Sequence, residues 1–227
     1  MYRTDDSGLR ALGTTRQWVQ FTLVALVATV AAHLLDETAW RALRDPKIYD
    51  KDLGRMLRLV GYLPTWLVVA IPLWLHDRRD SAVDAAGQGT AGGWGWRGGL
   101  ILLAPALGGA AAELLKLVVR RLRPDPDTFG YVFRSFSDAP WSTRGLGMPS
   151  SHTMVAFAAA AAMSRVFPRA WLLWYLLAAG CAATRVLALG HFLSDTVAAA
   201  FLGYVIGVLL SRSGGFGRRL TADHTAS

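Results

Sequence analysis

Long apolar runs separated by short polar segments dominate this chain of 227 residues. A helix that crosses the hydrocarbon core of a bilayer needs about 20 mostly apolar residues, and six runs come close to that length. The predicted spans are Trp18–Leu35, Leu57–Leu75, Leu100–Val119, Thr153–Phe167, Ala170–Gly190 and Phe192–Leu210. The pattern therefore predicts an all-α integral membrane bundle of six transmembrane helices.

Some segments depart from a simple span. The fourth span is long enough only if Ser150–His152 lie at the level of the lipid headgroups and are counted with it. The second contains Pro64 and Pro72, which neighbouring helices must accommodate. Between spans one and two, residues 36–57 mix charged and apolar side chains, which is typical of a helical segment lying in the membrane interface. Residues 84–99 are glycine-rich and predict a linker.

The same pattern divides the chain into three parts. Residues 1–17 are predicted to be a cytoplasmic tail, residues 18–211 the membrane domain, and residues 212–227 a disordered cytoplasmic tail. The formal net charge of +8 indicates anionic partners. The apolar runs favour a lipid phosphate and membrane lipids over nucleic acid. Lys and Arg residues divide almost evenly between the two predicted membrane faces, so the charge distribution alone does not fix the orientation.

Three clusters of chemically active residues stand at the ends of the predicted spans. They comprise Lys116 and Arg123 at the close of span three, Ser150, Ser151 and His152 at the opening of span four, and Arg185, His191 and Asp195 around the turn between spans five and six. Because two spans separate the third connection from the fifth, both connections open on the same membrane face. Each cluster alone fits snorkelling cations, a helix N-cap or a structural histidine. Their coincidence on one face indicates a functional site.

These residue types predict a site for phosphate. Lys116, Arg123 and Arg185 supply positive charge that matches phosphate oxygens, and the start of the fourth helix adds free backbone N–H groups. His191 and Asp195 are four residues apart and share a helical face. The carboxylate can therefore keep one imidazole nitrogen protonated while the other attacks phosphorus.

A second histidine, His152, can donate a proton to the leaving alkoxide. A metal site at His191 and Asp195 is the alternative interpretation. Divalent metals on phosphate esters usually need several carboxylate or histidine ligands, whereas cations dominate here and would repel them. We therefore predict no metal and no cofactor.

Taken together, Lys-x6-Arg-Pro, Pro-Ser-x-His and Arg-x5-His-x3-Asp resemble the motifs of the type 2 phosphatidic acid phosphatase superfamily. That family includes integral-membrane lipid phosphatases, glucose-6-phosphatase and vanadium haloperoxidases. The resemblance implies that His191 forms a phosphohistidine, that Asp195 orients it and that His152 protonates the leaving group. It implies phosphate binding by Lys116, Arg123, Ser150, Arg185 and the amide of Ser151. It also implies metal independence and, for a bacterial member, a site on the periplasmic or extracellular face.

Two positions depart from the family pattern, and Glu113 and one long loop lie outside its motifs. Ser151 replaces the usual glycine and Thr184 the usual serine, which predicts altered packing with activity retained. Glu113 precedes Lys116 by one turn and is expected to pair with it. The long connection 125–147 is aromatic, which fits either a lid over a headgroup or an aromatic belt at the interface.

The leading functional hypothesis is a metal-independent lipid phosphatase. Undecaprenyl diphosphate, phosphatidylglycerol phosphate, phosphatidic acid and lipid A phosphates all fit, and the sequence does not separate them. A lipid phosphotransferase would use the same intermediate. A non-catalytic binder or transporter would not need His152, His191 and Asp195. The sequence does not determine the oligomeric state.

Overall fold

The computed structural model describes residues 14–86 and 95–213. Its helices are α1 (Thr15–Leu34), α2 (Asp36–Ala42), α3 (Asp52–Val60), α4 (Leu63–Ala86), α5 (Trp96–Val119), α6 (Ser151–Val166), α7 (Trp171–Leu187) and α8 (Leu193–Arg212). Short 3₁₀ turns occupy Ile48–Asp50 and Pro168–Ala170. Over the described ranges, β-pairing is limited to isolated bridges of Arg121 with Phe133 and Leu122 with Leu146. The predicted all-α class is confirmed.

Four described helical segments are long and apolar enough to cross a membrane: α1, α5, α8, and α7 with its preceding 3₁₀ turn. The segments Asp52–Val60 and Leu63–Asp77 would together make a fifth span, but they meet at an angle of 68°. Helix α6, with 16 residues, is shorter than a full span. The described residues thus provide four spans, or five with the bent pair. The count of six and the interfacial position of residues 36–57 stay predictions.

Helix α6 lies at the centre of the bundle, against α5, α7 and α8. Its run of alanines is buried on nearly every side. A Cβ on Gly203 of α8 would lie 2.4 Å from the Met154 carbonyl oxygen, and one on Gly207 would lie 2.6 Å from that of Ala158. Small residues therefore let the backbones of α6 and α8 touch directly. This close packing holds the start of α6 beside the start of α8.

The second predicted span, Leu57–Leu75, is not one continuous helix. The chain breaks at Gly61, where a Cβ would come within 2.6 Å of the carbonyl oxygen of His152. Pro64 falls in the first turn of α4, where its missing N–H removes no helical hydrogen bond. Whether the bent pair forms the predicted second span stays a prediction, but a glycine at a close contact and a proline at a helix start explain why its helix is broken.

The glycine-rich linker predicted at residues 84–99 is too long at both ends. Helix α4 continues to Ala86 and α5 begins at Trp96, while residues 87–94 lie outside the described ranges. A Cβ on Gly98 would lie 2.6 Å from backbone and side-chain atoms of α4. This glycine therefore permits close packing of α4 and α5. From composition alone, a glycine at a helix contact cannot be distinguished from a glycine in a linker.

The predicted tails fall largely outside the described residues, which exclude 1–13 and 214–227. Helix α1 begins at Thr15, three residues before the predicted span. The Thr14 side chain caps it by accepting a hydrogen bond from the backbone N–H of Gln17 at 3.3 Å. The first helix thus begins at a polar capping residue and not at the first apolar one.

Candidate active site

The three clusters predicted from the sequence meet at one end of the bundle. Lys116 lies in the last turn of α5, Ser150 caps α6, and His191 lies between α7 and α8. Electrostatic interactions couple His152 to Arg185, His191 and Lys116, and couple His191 to Arg185 and Arg123. The backbone N–H of Ser150 donates to the carbonyl oxygen of Asp195 at 3.3 Å. The structure therefore brings together all eight residues proposed for the site.

His191 is buried, and its Nδ1 atom has two neighbours. Nδ1 lies 2.8 Å from the carbonyl oxygen of Gly147 and 3.7 Å from Oδ2 of Asp195. Since a carbonyl oxygen can only accept, the Nδ1 atom carries the proton and Nε2 keeps its lone pair. Burial lowers the pKa of His191, while the Asp195 carboxylate acts in the opposite direction. The arrangement suits a neutral imidazole whose Nε2 is available for attack.

Asp195 is fully buried, and both of its oxygens are bonded. Oδ1 forms an ion pair with the guanidinium of Arg121, which also donates to Oγ of Ser194 at 2.8 Å. Oδ2 accepts from the backbone N–H of Phe192 at 2.8 Å. A buried carboxylate is costly unless it is paired and hydrogen-bonded. These contacts fix its position beside His191.

A second buried carboxylate, Asp36 of α2, extends this network. Asp36 accepts from the backbone N–H of Ser194 at 2.8 Å, from its Oγ at 2.5 Å, and from the Tyr131 hydroxyl at 3.0 Å. Burial and the negative charge of Asp36 raise the pKa of Tyr131 to about 12, so that the phenol keeps its proton and donates. The start of α8 is thus tied to α2 and to the 125–147 connection.

Lys116 is held on the opposite side of the site by two partners. Its Nζ atom pairs with Oε1 of Glu113 at 2.7 Å and also contacts Oγ of Ser151. The Ser151 hydroxyl donates to the same Glu113 oxygen at 2.6 Å. Lys116 is buried, whereas the Glu113 side chain is 44% exposed. The expected Glu113–Lys116 ion pair is present, and the hydroxyl of Ser151 bridges its two partners.

Two arginines complete the positive side of the site. Nη1 of Arg185 donates to the Tyr49 hydroxyl at 2.9 Å, and that hydroxyl donates to the Thr184 carbonyl oxygen at 3.1 Å. Arg123 is exposed, and its backbone N–H donates to the carbonyl oxygen of Gly145 at 3.0 Å. Desolvation and the charge of Arg185 lower the pKa of Arg123. The two arginines repel one another, and a bound anion would relieve that repulsion.

His152 and Ser150 lie at the start of α6. The Nε2 atom of His152 is buried and has no hydrogen-bond partner within the described residues. Its ring stacks on Tyr62, with centroids 6.5 Å apart. The buried Oγ of Ser150 accepts from the hydroxyl of Thr153 at 3.1 Å. The unpartnered Nε2 is an imidazole nitrogen that can still exchange a proton with a bound substrate.

The connection 125–147 is fastened to the site by one buried arginine. Arg120, in the left-handed conformation at the end of α5, donates to four backbone carbonyls of this connection at 2.5–3.2 Å. Phe136 and Trp141 are 68% and 86% exposed on the same connection. Its backbone is therefore well anchored, while the side chains of Phe136 and Trp141 are exposed.

The described ranges 14–86 and 95–213 contain no group of three or more His, Cys, Asp or Glu side chains placed to hold a metal ion. Metal independence nevertheless stays a prediction that only an activity measurement can test.

The family model of the PAP2 superfamily matches residues 97–217, more than half of the chain. The chain belongs to the PAP2 superfamily. This confirms the resemblance to type 2 phosphatidic acid phosphatases that the three motifs indicated. Its apolar helices and membrane relatives make this PAP2 protein a multi-pass membrane protein.

Relatives of this PAP2 protein include two named lipid A 1-phosphatases. The protein from Rhizobium johnstonii is 27% identical over 191 residues, covering 82% of this chain and 77% of the relative. The one from Rhizobium etli is 25% identical over 191 residues, covering 82% and 81%. A PAP2-type phosphatidylglycerolphosphate phosphatase from Bacillus subtilis superposes with a TM-score of 0.58 at 20% identity, over 88% of this chain and 96% of that one. At that identity the superposition shows a shared fold.

Sequence reasoning missed several residues of this PAP2 site. Arg121 lies inside the first motif, where adjacent arginines gave a signal that was not used. Asp36 and Ser194 are 158 positions apart, so no local pattern joins them. Tyr49 was assigned only to the interfacial segment. The Gly147 carbonyl is a backbone group, which residue types do not reveal.

Proposed function

We propose that this PAP2 protein is a metal-independent lipid phosphatase that forms a phosphohistidine on His191. The arrangement of His191 carries the proposal. Its Nδ1 atom is 2.8 Å from the Gly147 carbonyl oxygen, which directs the lone pair of Nε2 toward the site. Arg123 and Arg185 interact electrostatically with His191, and Lys116 interacts with the neighbouring His152. A neutral nucleophile among positive charges is suited to a phosphate anion.

The first half-reaction transfers the phosphoryl group to the enzyme. Lys116, Arg123 and Arg185 bind the phosphate oxygens, together with Ser150 and the backbone N–H of Ser151. Nε2 of His191 forms a bond to phosphorus as the bond from phosphorus to the lipid oxygen breaks. The negative charge of the phosphate favours protonation of His152, which gives its proton to the departing oxygen.

The second half-reaction restores the enzyme. A water molecule loses a proton to His152 and attacks the phosphohistidine, which breaks the bond between phosphorus and Nε2. Inorganic phosphate leaves, and His191 is neutral again. Asp195 stays ionised, positions His191 and stabilises the positive imidazole that forms during transfer. Arg121 is the counter-ion of Asp195 and acts on His191 only through it.

The substrate class proposed here is a lipid phosphate. The two relatives named lipid A 1-phosphatase place lipid A phosphates first in a panel, with phosphatidylglycerol phosphate, phosphatidic acid and undecaprenyl diphosphate beside them. Phosphate release from this panel by purified protein in EDTA tests the proposal. His191→Ala should reduce turnover at least about 1,000-fold, whereas undiminished turnover in this variant rejects the mechanism. Labelled phosphate appearing on a second lipid would identify a phosphotransferase instead.

We also propose that the site faces the periplasm or cell exterior and that both termini are cytoplasmic. The chain has a single cysteine, Cys181, which is buried. A cysteine introduced at exposed Trp141 therefore reports the side on which the 125–147 connection lies. A membrane-impermeant maleimide should label Trp141→Cys in intact cells. Labelling only after the membrane is permeabilised would reverse the proposed orientation.

A further inference from the structure

Arg58 on α3 is a cation at the edge of the candidate site. Two other basic side chains in this region are paired with carboxylates, Arg55 with Asp52 at 2.5 Å and Lys51 with Asp45 at 2.7 Å. Within the described ranges, the Arg58 guanidinium has no hydrogen bond or ion pair. The guanidinium instead lies over the aromatic ring of Tyr49, with its Cζ atom 4.7 Å from the ring centroid.

The same tyrosine connects Arg58 to the phosphate-binding residues. The Tyr49 hydroxyl accepts from Nη1 of Arg185 at 2.9 Å, and the Cζ atom of Arg185 is 5.9 Å from the ring centroid. Arg58 also interacts electrostatically with Arg123 and His152. Its positive charge therefore lies beside the proposed phosphate pocket, with Tyr49 between Arg58 and Arg185.

The backbone that carries Arg58 is held tightly while its side chain is exposed. A Cβ on Gly54 would lie 1.9 Å from the Ile48 carbonyl oxygen, and one on Gly180 of α7 would lie 2.7 Å from the side chain of Leu57. Helix α3 thus packs closely against the turn that bears Tyr49 and against α7. A fixed helix that presents an unpaired guanidinium to a site already rich in positive charge increases repulsion there. An anion beyond the scissile phosphate would offset it.

We propose that Arg58, supported by Tyr49, binds a second phosphate group of the substrate headgroup, a few atoms from the scissile phosphate. This rests on the proposed function, since the scissile phosphate must occupy the site of Lys116, Arg123 and Arg185. The favoured substrates are lipids with two closely spaced phosphates, such as a diphosphate or phosphatidylglycerol phosphate. Phosphatidic acid, with one phosphate, gains nothing from Arg58. Arg58 is therefore a specificity-determining residue.

A kinetic comparison tests this selectivity. Phosphatidylglycerol phosphate and phosphatidic acid with identical acyl chains are presented in neutral detergent micelles to wild type, Arg58→Gln and Arg55→Gln. Arg58→Gln should lower kcat/KM for phosphatidylglycerol phosphate about tenfold and that for phosphatidic acid less than about twofold. Arg55→Gln, which removes an equal charge from the same helix, should change neither value appreciably. Equal losses on both substrates, or no loss on either, would overturn the proposal.

A binding measurement separates this inference from the phosphatase assignment. Isothermal titration of the purified full chain with inorganic diphosphate and inorganic phosphate requires no turnover. Wild type and Arg55→Gln should bind diphosphate about tenfold more tightly than phosphate, and Arg58→Gln should lose that preference. If this holds while wild type hydrolyses no lipid, the proposed function fails and the Arg58 site stands. A contribution of Arg58 that appears only with added anionic lipid would assign it to the membrane surface and overturn the proposal.

Discussion

Two carboxylates flank the candidate site, and their surroundings differ sharply. Asp195 is fully buried, with its oxygens bonded to Arg121 and to the backbone N–H of Phe192. Glu113 is 44% exposed, and one of its oxygens contacts both Lys116 and Ser151. The first arrangement fixes a group that must stay still beside the nucleophile. The second holds a cation whose surroundings must remain open to a ligand.

The contrast extends to the halves of the site that contain them. The nucleophile half continues through Ser194 to the buried Asp36 and the hydroxyl of Tyr131. The phosphate half ends in two exposed arginines, Arg123 and Arg58. Substitutions in the buried nucleophile half should be strongly destabilising, because a buried charge that loses its partner is left uncompensated. The open half should tolerate it better because water replaces lost partners.

The largest effect is expected from removing Arg121. Arg121→Met leaves the carboxylate of Asp195 buried and uncompensated, which should lower the free energy of unfolding by about 3–5 kcal/mol and abolish most activity. Thermal or denaturant unfolding in detergent measures this. The double variant Arg121→Met with Asp195→Asn should be more stable than Arg121→Met alone, while remaining poorly active. A single variant within about 0.5 kcal/mol of wild type would show that the pair is not buried as described.

Glu113→Gln is the matched change on the open side. The amide keeps the size of the side chain, and its carbonyl oxygen can still accept from buried Lys116, so the change removes only the charge of a carboxylate that is 44% exposed. The free energy of unfolding should fall by no more than about 1 kcal/mol. KM should change more than kcat, because Lys116 is proposed to bind phosphate in both the ground state and the transition state. A destabilisation as large as that of Arg121→Met would erase the distinction between the two halves.

Ser151→Gly should have the smallest effect. The substitution restores the residue that the family usually carries and retains the backbone N–H proposed to bind phosphate. It removes only the hydroxyl between Glu113 and Lys116, whose direct ion pair at 2.7 Å persists. Losing one hydrogen bond of about 1 kcal/mol should lower kcat/KM by about fivefold at most. Loss beyond that would mean that the hydroxyl itself contacts the substrate.

Local patterns were sufficient to predict most of the helices and eight residues that the structure brings together. Apolar run length reflects the thickness of a bilayer, and ionisable residues at the ends of such runs stand out by their cost. Because two predicted spans separate the third connection from the fifth, Lys116 and His191 were predicted to lie at the same membrane face. In the structure they lie at the same end of the bundle. The ion pair of Glu113 with Lys116 followed from helical spacing.

The features that escaped prediction depend on contacts between distant parts of the chain. The bend at Gly61 exists where the backbone meets His152 and Cys181, and no feature of the run Leu57–Leu75 reveals those neighbours. Likewise, Asp36 looked like an ordinary interfacial acid until Ser194 was found against it. The nearest partner of His191 is a backbone carbonyl, which sequence motifs do not encode.

Trapping the covalent intermediate tests the central claim most directly. Wild-type protein and the His191→Ala variant are mixed with a lipid phosphate carrying labelled phosphorus, quenched in alkali within the first turnover and digested for mass spectrometry. The account predicts acid-labile phosphate on His191 of wild type, formed and lost at rates compatible with turnover, and none in the variant. Turnover without phosphate on His191, or label on another residue, would contradict it.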